Sequence, residues 1–244
     1  MRLVFLGSGG YYPNERRQTA CIMLPEIGVV FDAGTGFSRV AGHLATDELR
    51  IFLSHAHLDH IVGLTYFIVP LIDGQVKQAQ VFAQASVLQA IDEHLFAAPL
   101  FPLRIDYLMQ KLDGPVLLPD GGRVTWCPLQ HPGGSTGYRI DWPDRSLAYI
   151  TDTIANGSYL EFIRGVDVLI HECYFPDDRT NLAEMTGHSH TTPVAAAARD
   201  AGVGQLWLVH IDPLHPEDDP IGLATARAIF PETHLAEDRL EIEI

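Results

Sequence analysis

The sequence predicts an α/β (α+β) fold in which two β-sheets pack face to face and are flanked by helices. Short β-rich runs alternate with helical patterns along all 244 residues, and such elements bury their apolar faces best in layers. Hydrophobic residues make up 47% and charged residues 19% of the chain, which is enough apolar material for a substantial core. Because no low-complexity tract, charge block or Pro/Ser-rich linker divides the sequence, we expect a single domain over residues 1–244.

The elements of the first half are bounded by glycine and proline. In this half, β-rich runs that end in turn-forming residues predict the strands. These strands are expected over residues 2–6, 29–32, 49–53 and 79–83. A helix is expected over 58–69, ended by Pro70 because a proline disfavours helical backbone in the residue before it. A second helix is expected over 85–97.

The second half repeats this alternation. Short strands separated by Gly or Pro/Asp turns suit antiparallel pairing, and the apolar, β-branched run over 166–170 is typical of a strand buried on both faces. The other strands of this half are expected over 124–127, 136–140, 147–150, 205–209 and 240–244. An Ala-rich helix over 193–201 ends at Gly202, and a last helix is expected over 220–230.

Charge and cysteine content exclude several classes of protein. The chain has 16 Lys and Arg residues and 31 Asp and Glu residues, so its net charge is −15. This charge argues against a surface that coats nucleic acid but does not exclude a pocket that binds phosphate. Three widely spaced cysteines indicate neither a disulfide framework nor a thiolate zinc site, and they favour a reducing, cytoplasmic location. The longest apolar stretch, over 61–72, is too short to span a bilayer, so we expect no membrane partner.

The most informative segment is HAHLDH at residues 55–60, directly after a predicted strand. His55 and His57 are two positions apart, so in extended backbone their rings point to one side. Asp59 and His60 fall in the first turn of the next helix and face a neighbouring position. Imidazoles and carboxylates grouped this densely need a common partner, and the spacing predicts two adjacent metal sub-sites. The alternative is a solvated, histidine-rich turn.

Two local ligands do not complete a metal site, so further ligands are expected at later strand ends. His131, Asp152 and His210 each follow a predicted strand at the point where it gives way to a loop. Functional groups collect at such positions in mixed sheets.

These motifs together resemble the metallo-β-lactamase fold superfamily. The resemblance runs through LGSGG near the start, FDAGTG at 31–36, HAHLDH, HPGGSTGY at 131–138, YITDT at 149–153 and LVH at 208–210. The TDT motif, and His171-Glu172-Cys173 followed by Gly187-His188-Ser189, are similar to the ribonuclease Z-like phosphodiesterase branch. The resemblance implies a four-layer αβ/βα sandwich with two divalent metal ions at one edge, with zinc as the first choice and manganese or iron as alternatives.

The resemblance also implies a role for each ligand. His55, His57 and His131 would hold the first metal, Asp59, His60 and His210 the second, and Asp152 would bridge the two. His188 would donate a proton to the leaving group, oriented by Glu172, and we count Asp59 with these two as catalytic. His190 stands where the family has threonine, so it is a rival donor, and Glu172 could instead orient a metal-ligating histidine.

Three further residues are candidates for substrate contact. Arg17 resembles an arginine that follows the family's first glycine turn, where it would hold a substrate phosphate or form a structural ion pair. Asp212 lies two residues beyond His210 in a proline-containing loop, and His190 is the third candidate.

Two metal ions that share a water molecule suit hydrolysis of a phosphodiester. We expect a small nucleotide-type or cyclic phosphodiester, because the chain shows no Gly/basic-rich insert to grip RNA and carries Ile211-Asp212-Pro213 where the family has Phe-Ser-x-Arg-Tyr. The alternatives are ribonuclease Z-like 3′ processing of transfer RNA, hydrolysis of a thioester or lactone, and a metal-binding carrier without activity. Relatives with this pattern often form homodimers, so a homodimer is expected too.

Overall fold

Two seven-stranded mixed sheets form the centre of the computed structural model, which describes residues 1–103 and 105–244. The strands are β1 Arg2–Gly7, β2 Cys21–Leu24, β3 Val29–Phe31, β4 Glu48–Phe52, β5 Gln78–Ala83, β6 Leu108–Lys111, β7 Val116–Leu117, β8 Arg123–Leu129, β9 Ser135–Asp141, β10 Ser146–Ile150, β11 Val168–Glu172, β12 Gln205–Val209, β13 Thr233–Leu235 and β14 Glu241–Glu243. The first sheet has the order β14-β1-β2-β3-β4-β5-β6 and the second the order β13-β12-β11-β10-β9-β8-β7.

The helices are short and lie on the outer faces. They are α1 Leu58–Ile61, α2 Ile68–Ile72, α3 Ala85–Ala90, α4 Leu160–Ile163, α5 Thr180–Thr186, α6 Thr191–Ala201 and α7 Leu223–Ile229. Shorter 3₁₀ or π segments are Pro25–Ile27, Thr35–His43, Val62–Tyr66, Ile91–Leu95 and Asp177–Arg179. Among the described residues, no helix combines the length and the apolar character needed to cross a membrane.

Three apolar layers hold the sheets and helices together, which confirms the predicted four-layer sandwich. The central layer is rich in aromatic rings: Phe31 of the first sheet lies 5.8 Å from Tyr138 and 5.4 Å from Tyr149 of the second, between ring centroids. The Tyr138 hydroxyl also donates to the carbonyl of Leu53 at 2.6 Å, across the sheet interface. Two outer layers pack the helices against each sheet.

The helix predicted over 58–69 is wrong as a single element. It is broken into α1, a 3₁₀ segment and α2, because tertiary backbone hydrogen bonds replace part of the helical ladder: Gly63 donates to the carbonyl of Ala33 and Ala33 donates to that of His60, each at 2.7 Å. Pro70 does not end this region but lies in the first turn of α2, where its missing N–H has no helical partner to lose.

The topology brings the C-terminal ends of several strands to one edge of the sandwich. Strands β10, β11 and β12 are parallel neighbours, so their ends meet at the same side. The strand predicted over 166–170 runs two residues further, so His171 and Glu172 are its last, fully buried residues. The polar side chains that follow these strands therefore converge on a common place.

Candidate metal centre

One group of ligand atoms comes from the loop after β4, the end of β8 and the end of β10. His55, His57, His131 and Asp152 each offer one nitrogen or oxygen, and these atoms all lie within 4.8 Å of one another. Asp152 Oδ2 is 3.5 Å from His55 Nε2 and 3.6 Å from His131 Nε2, while His131 Nε2 is 3.4 Å from His57 Nδ1. The four donors thus surround one point.

A second group lies beside the first and shares the same aspartate. His60 Nε2 is 3.3 Å from Asp59 Oδ2, and His210 Nε2 is 3.2 Å from that same oxygen. The other carboxylate oxygen of Asp152, Oδ1, is 3.2 Å from His60 Nε2 and 3.3 Å from His210 Nε2. The two oxygens of Asp152 therefore face two different ligand groups.

The hydrogen bonds around these rings fit metal ligands. His60 Nδ1 donates to Asp32 Oδ2 and His131 Nδ1 donates to the carbonyl of Gly187, each at 2.8 Å, so in the neutral rings both Nε2 atoms turn lone pairs inward. His55 Nε2 is buried and has no hydrogen-bond partner among the described residues. Buried lone pairs that face carboxylates favour a bound cation.

The spacing of the donors fits a tetrahedral ion as well. Bonds of about 2.0–2.1 Å place neighbouring donors about 3.3–3.4 Å apart around a tetrahedral zinc ion, and the separations described above run from 3.2 to 3.6 Å. Burial disfavours a charged His60, but the nearby carboxylates of Asp152, Asp59 and Asp32 outweigh it and raise the pKa of His60 well above its usual range. The protein atoms therefore create a strong demand for positive charge.

Asp32 organises the second group and was not predicted as a functional residue. It is fully buried and accepts four hydrogen bonds: from the amide and hydroxyl of Ser54, from His60 Nδ1 and from the hydroxyl of Tyr149. It also has a left-handed backbone with φ of 57°, as do Asp152 (38°) and His210 (58°). Such strained non-glycine residues cluster at functional sites. The available signal was an aspartate directly after an apolar strand, in FDAGTG.

His188 and Glu172 form a hydrogen-bonded dyad beside the two groups. Glu172 is fully buried, and its Oε1 accepts from the amide of Thr153 at 2.7 Å and from His188 Nδ1 at 3.1 Å. Burial lowers the stability of a charged His188, but the Glu172 carboxylate outweighs this effect and raises the pKa of His188 to about 9. The ring of Tyr174 stacks on His188 with centroids 4.7 Å apart.

The three candidates for substrate contact make different contacts in the structure. His190 Nδ1 donates to Asp177 Oδ1 at 2.6 Å at the start of α6, so it is engaged away from the ligand groups. Arg17 is 2% exposed and donates to Glu237 Oε1 at 2.6 Å, which is the contact expected of a structural ion pair. Asp212 does line the cavity at the ligands, but its Oδ1 accepts from the amide of Leu214 at 2.9 Å and so shapes the loop.

A cleft runs across the two ligand groups. One arm, a cavity of about 360 Å³, lies between the ligands and α5, and it is lined by Tyr174, Phe175, Arg179, Leu182 and Leu214 in addition to site residues. The other arm, about 570 Å³, is lined by Ala56, Leu58, His131 and Pro132 among others. Tyr11, His57, Asp59, Thr186 and His188 line both arms.

Comparison with known proteins decides the family. Residues 28–211 match the model of the beta-lactamase superfamily domain, which is more than half of the chain. The chain belongs to the beta-lactamase superfamily. With its His/Asp cluster and its similarity to ribonuclease Z proteins, it is a metal-dependent hydrolase of the ribonuclease Z-like branch, with a divalent metal site at the cleft.

Individual relatives agree with this assignment. Ribonuclease Z of Methanosarcina acetivorans is 26% identical over 301 residues, covering 100% of this chain and 98% of the relative. The structure of the metallo-beta-lactamase fold protein YhfI from Bacillus subtilis superposes with a TM-score of 0.80 at 23% identity, covering 99% of each chain. That of the short form of human tRNase Z gives a TM-score of 0.76 at 22% identity, covering 100% of this chain and 99% of the other.

Proposed function

We propose that the protein is a dinuclear zinc phosphodiesterase, folded as one domain over residues 1–244, which hydrolyses small nucleotide-type or cyclic phosphodiesters. The observation that carries this proposal is Asp152, whose two oxygens face two separate sets of ligand atoms. A carboxylate placed in this way is suited to bridge two cations, and two ions about 3.5–4 Å apart are the arrangement that suits displacement at phosphorus.

The ligand assignment follows from the two groups. His55, His57 and His131 would hold one ion, and Asp59, His60 and His210 the other, with Asp152 shared between them. Zinc accepts this nitrogen and carboxylate set in tetrahedral geometry, and manganese or iron would also accept it. When bound, the ions supply Lewis acidity and lower the pKa of water at the site to about 7.

The chain itself would handle the proton of the leaving group. Glu172 holds His188 Nδ1, which leaves His188 Nε2 free to donate a proton to the departing ester oxygen. The raised pKa of His188 keeps the ring protonated at neutral pH. Asp59 would act through its place in the second group, where Oδ2 accepts from the amide of Tyr11 at 2.8 Å.

The shape of the cleft supports a small diester. A phosphodiester carries two ester groups, and the cleft offers two arms that share lining residues at the ligands, with volumes suited to small molecules. The alignment with the Methanosarcina acetivorans relative spans 301 residues against the chain's 244, so the relative has segments without a counterpart here. The net charge of −15 also disfavours a broad surface for RNA.

Transfer-RNA 3′ processing is the second candidate, and the ribonuclease Z name of the relatives favours it. Thioester hydrolysis is less suited to the site, because a thiolate is a good leaving group and does not need the proton that the dyad provides. Lactone hydrolysis expels an alkoxide, so the substrate panel has to separate it from phosphodiester hydrolysis. A carrier without activity would not need the dyad at all.

The three free cysteines support a cytoplasmic location, and exposed Val69 and Ile72 on α2 support a homodimer.

Metal quantification of the purified protein, combined with a substrate panel, tests the proposal. The panel contains bis(p-nitrophenyl) phosphate, 2′,3′- and 3′,5′-cyclic nucleotides, a transfer-RNA precursor, a thioester and a lactone. We expect about two zinc equivalents and turnover of the small diesters, both lost in His57→Ala. Metal-loaded protein that cleaves no phosphodiester would overturn the proposal, and preferential cleavage of the precursor would favour the second candidate.

A further inference from the structure

Arg179 is a half-buried arginine that lines the cleft. It ends the 3₁₀ segment before α5, and its guanidinium makes no hydrogen bond or ion pair with any residue that the structure describes. Arg16 and Arg139, in contrast, each bind a carboxylate within 2.7 Å. Glu217 lies near enough to feel the charge of Arg179 but forms its hydrogen bond with His215, at 2.9 Å. A partly desolvated guanidinium left unpaired is poised for an external anion.

The position of Arg179 indicates which anion this is. It lines the same 360 Å³ cavity as Asp59, Asp152 and His210, and among the described residues lining that cavity it is the one lysine or arginine. The cavity also has an apolar lining, which includes exposed Leu214. Exposed apolar side chains at the mouth of a cavity are typical of a binding surface.

We propose that Arg179 selects a phosphodiester that carries a second oxyanion. The scissile phosphate lies at the metal centre, an apolar or ring portion packs along Tyr174 and Leu214, and the guanidinium of Arg179 binds the second anion with two parallel hydrogen bonds. Arg179 is then a specificity residue that contacts substrate at a distance from the reacting atoms. This inference rests on the proposed function, since it takes the metal centre as the place of the scissile group.

A matched pair of substrates tests it. Thymidine 5′-(p-nitrophenyl phosphate) and its 3′-phosphorylated form have the same leaving group and differ by one anion, and a 3′-succinyl form distinguishes phosphate from carboxylate. We expect kcat/KM of the metal-loaded enzyme to be about 30-fold higher for the 3′-phosphorylated substrate, mainly through KM. In Arg179→Gln this ratio should fall to about 3 or less, and in Arg179→Lys, which keeps the charge but not the planar fork, to an intermediate value.

Controls separate this inference from the proposed function. Arg199→Gln removes the same charge from exposed α6, where Arg199 pairs with Asp200, and should keep the wild-type ratio. Calorimetry with thymidine 3′,5′-bisphosphate and thymidine 5′-phosphate measures the same preference by binding alone. A ratio near one in the wild type, or a full ratio in Arg179→Gln, would overturn the role of Arg179. If no substrate is cleaved while calorimetry shows the Arg179-dependent preference, the proposed reaction fails and the anion site stands.

Discussion

The two ligand groups differ in the charge of the partners that lie behind their histidines. In the second group, fully buried His60 is fixed by the carboxylate of Asp32, and Asp59 by the amide of Tyr11. In the first group the partners are neutral, a hydroxyl for His55 and a carbonyl for His131, and His57 is exposed. Partners behind a ligand fix its orientation and raise its basicity. We therefore expect the first ion to be lost more readily than the second, with the shared Asp152 essential to both.

The largest effect should come from Asp152→Ala, which removes the shared carboxylate and so tests whether the two groups form one unit. We expect metal content to fall from about two equivalents to below one, and activity on bis(p-nitrophenyl) phosphate to fall by about 10⁴-fold or more. Elemental analysis and initial rates measure both quantities. Asp144→Ala, on an exposed turn, is the control for loss of a carboxylate. Full metal content in Asp152→Ala would contradict the bridging role.

His188→Ala tests whether His188 is a proton donor or a metal ligand, since its ring offers a nitrogen that lies within 4.8 Å of ligand atoms of Asp152 and His210. If His188 is the proton donor, the His188→Ala substitution should lower kcat by about 10²- to 10⁴-fold while both metal equivalents stay bound. The same assays with p-nitrophenyl and poorer leaving groups should show the larger loss for the poorer ones. A drop of one metal equivalent would instead make His188 a ligand.

Asp32→Asn tests the origin of the difference between the groups directly. The amide keeps the shape but removes the charge behind His60, so metal affinity of the second group should fall by about 10- to 100-fold. Titration with a chelator, followed by metal release, should show two well-separated steps in the wild type and closer steps in Asp32→Asn. Equal steps in the wild type would remove the proposed contrast.

The smallest effect concerns pH. His188 must be protonated to donate, and its pKa is raised to about 9 by Glu172 against the opposing effect of burial, so activity should hold below that pH and fall as pH rises through it. Glu172→Gln should move this alkaline limb toward lower pH in a rate profile. Asp177→Asn alters the matched His190 pair outside the cleft and should leave the limb in place. An alkaline limb that stays at the same pH in Glu172→Gln would contradict the role of the dyad.

Much of the candidate site could be predicted because several of its residues lie close together in the sequence. The segment 55–60 places four ligand types in six positions, and strand ends marked His131, Asp152 and His210 as their partners. The role of Asp32 was not predicted, because it depends on hydrogen bonds from Ser54, His60 and Tyr149. These residues are distant in the chain or on other strands. The pairing of Arg17 with Glu237 could not be predicted either, because the two residues are far apart in the sequence.

The amino-acid sequence alone determined the layered α/β architecture and the order of the candidate ligands along the chain, because alternation of apolar residues and clustering of imidazoles are local properties of the chain. Only the tertiary structure decided where the helix at 58–69 breaks, which histidine contacts Glu172 and which arginine lines the cleft beside the ligands. Those outcomes depend on hydrogen bonds and charges between segments far apart in sequence, and their partners are chosen when the two sheets pack.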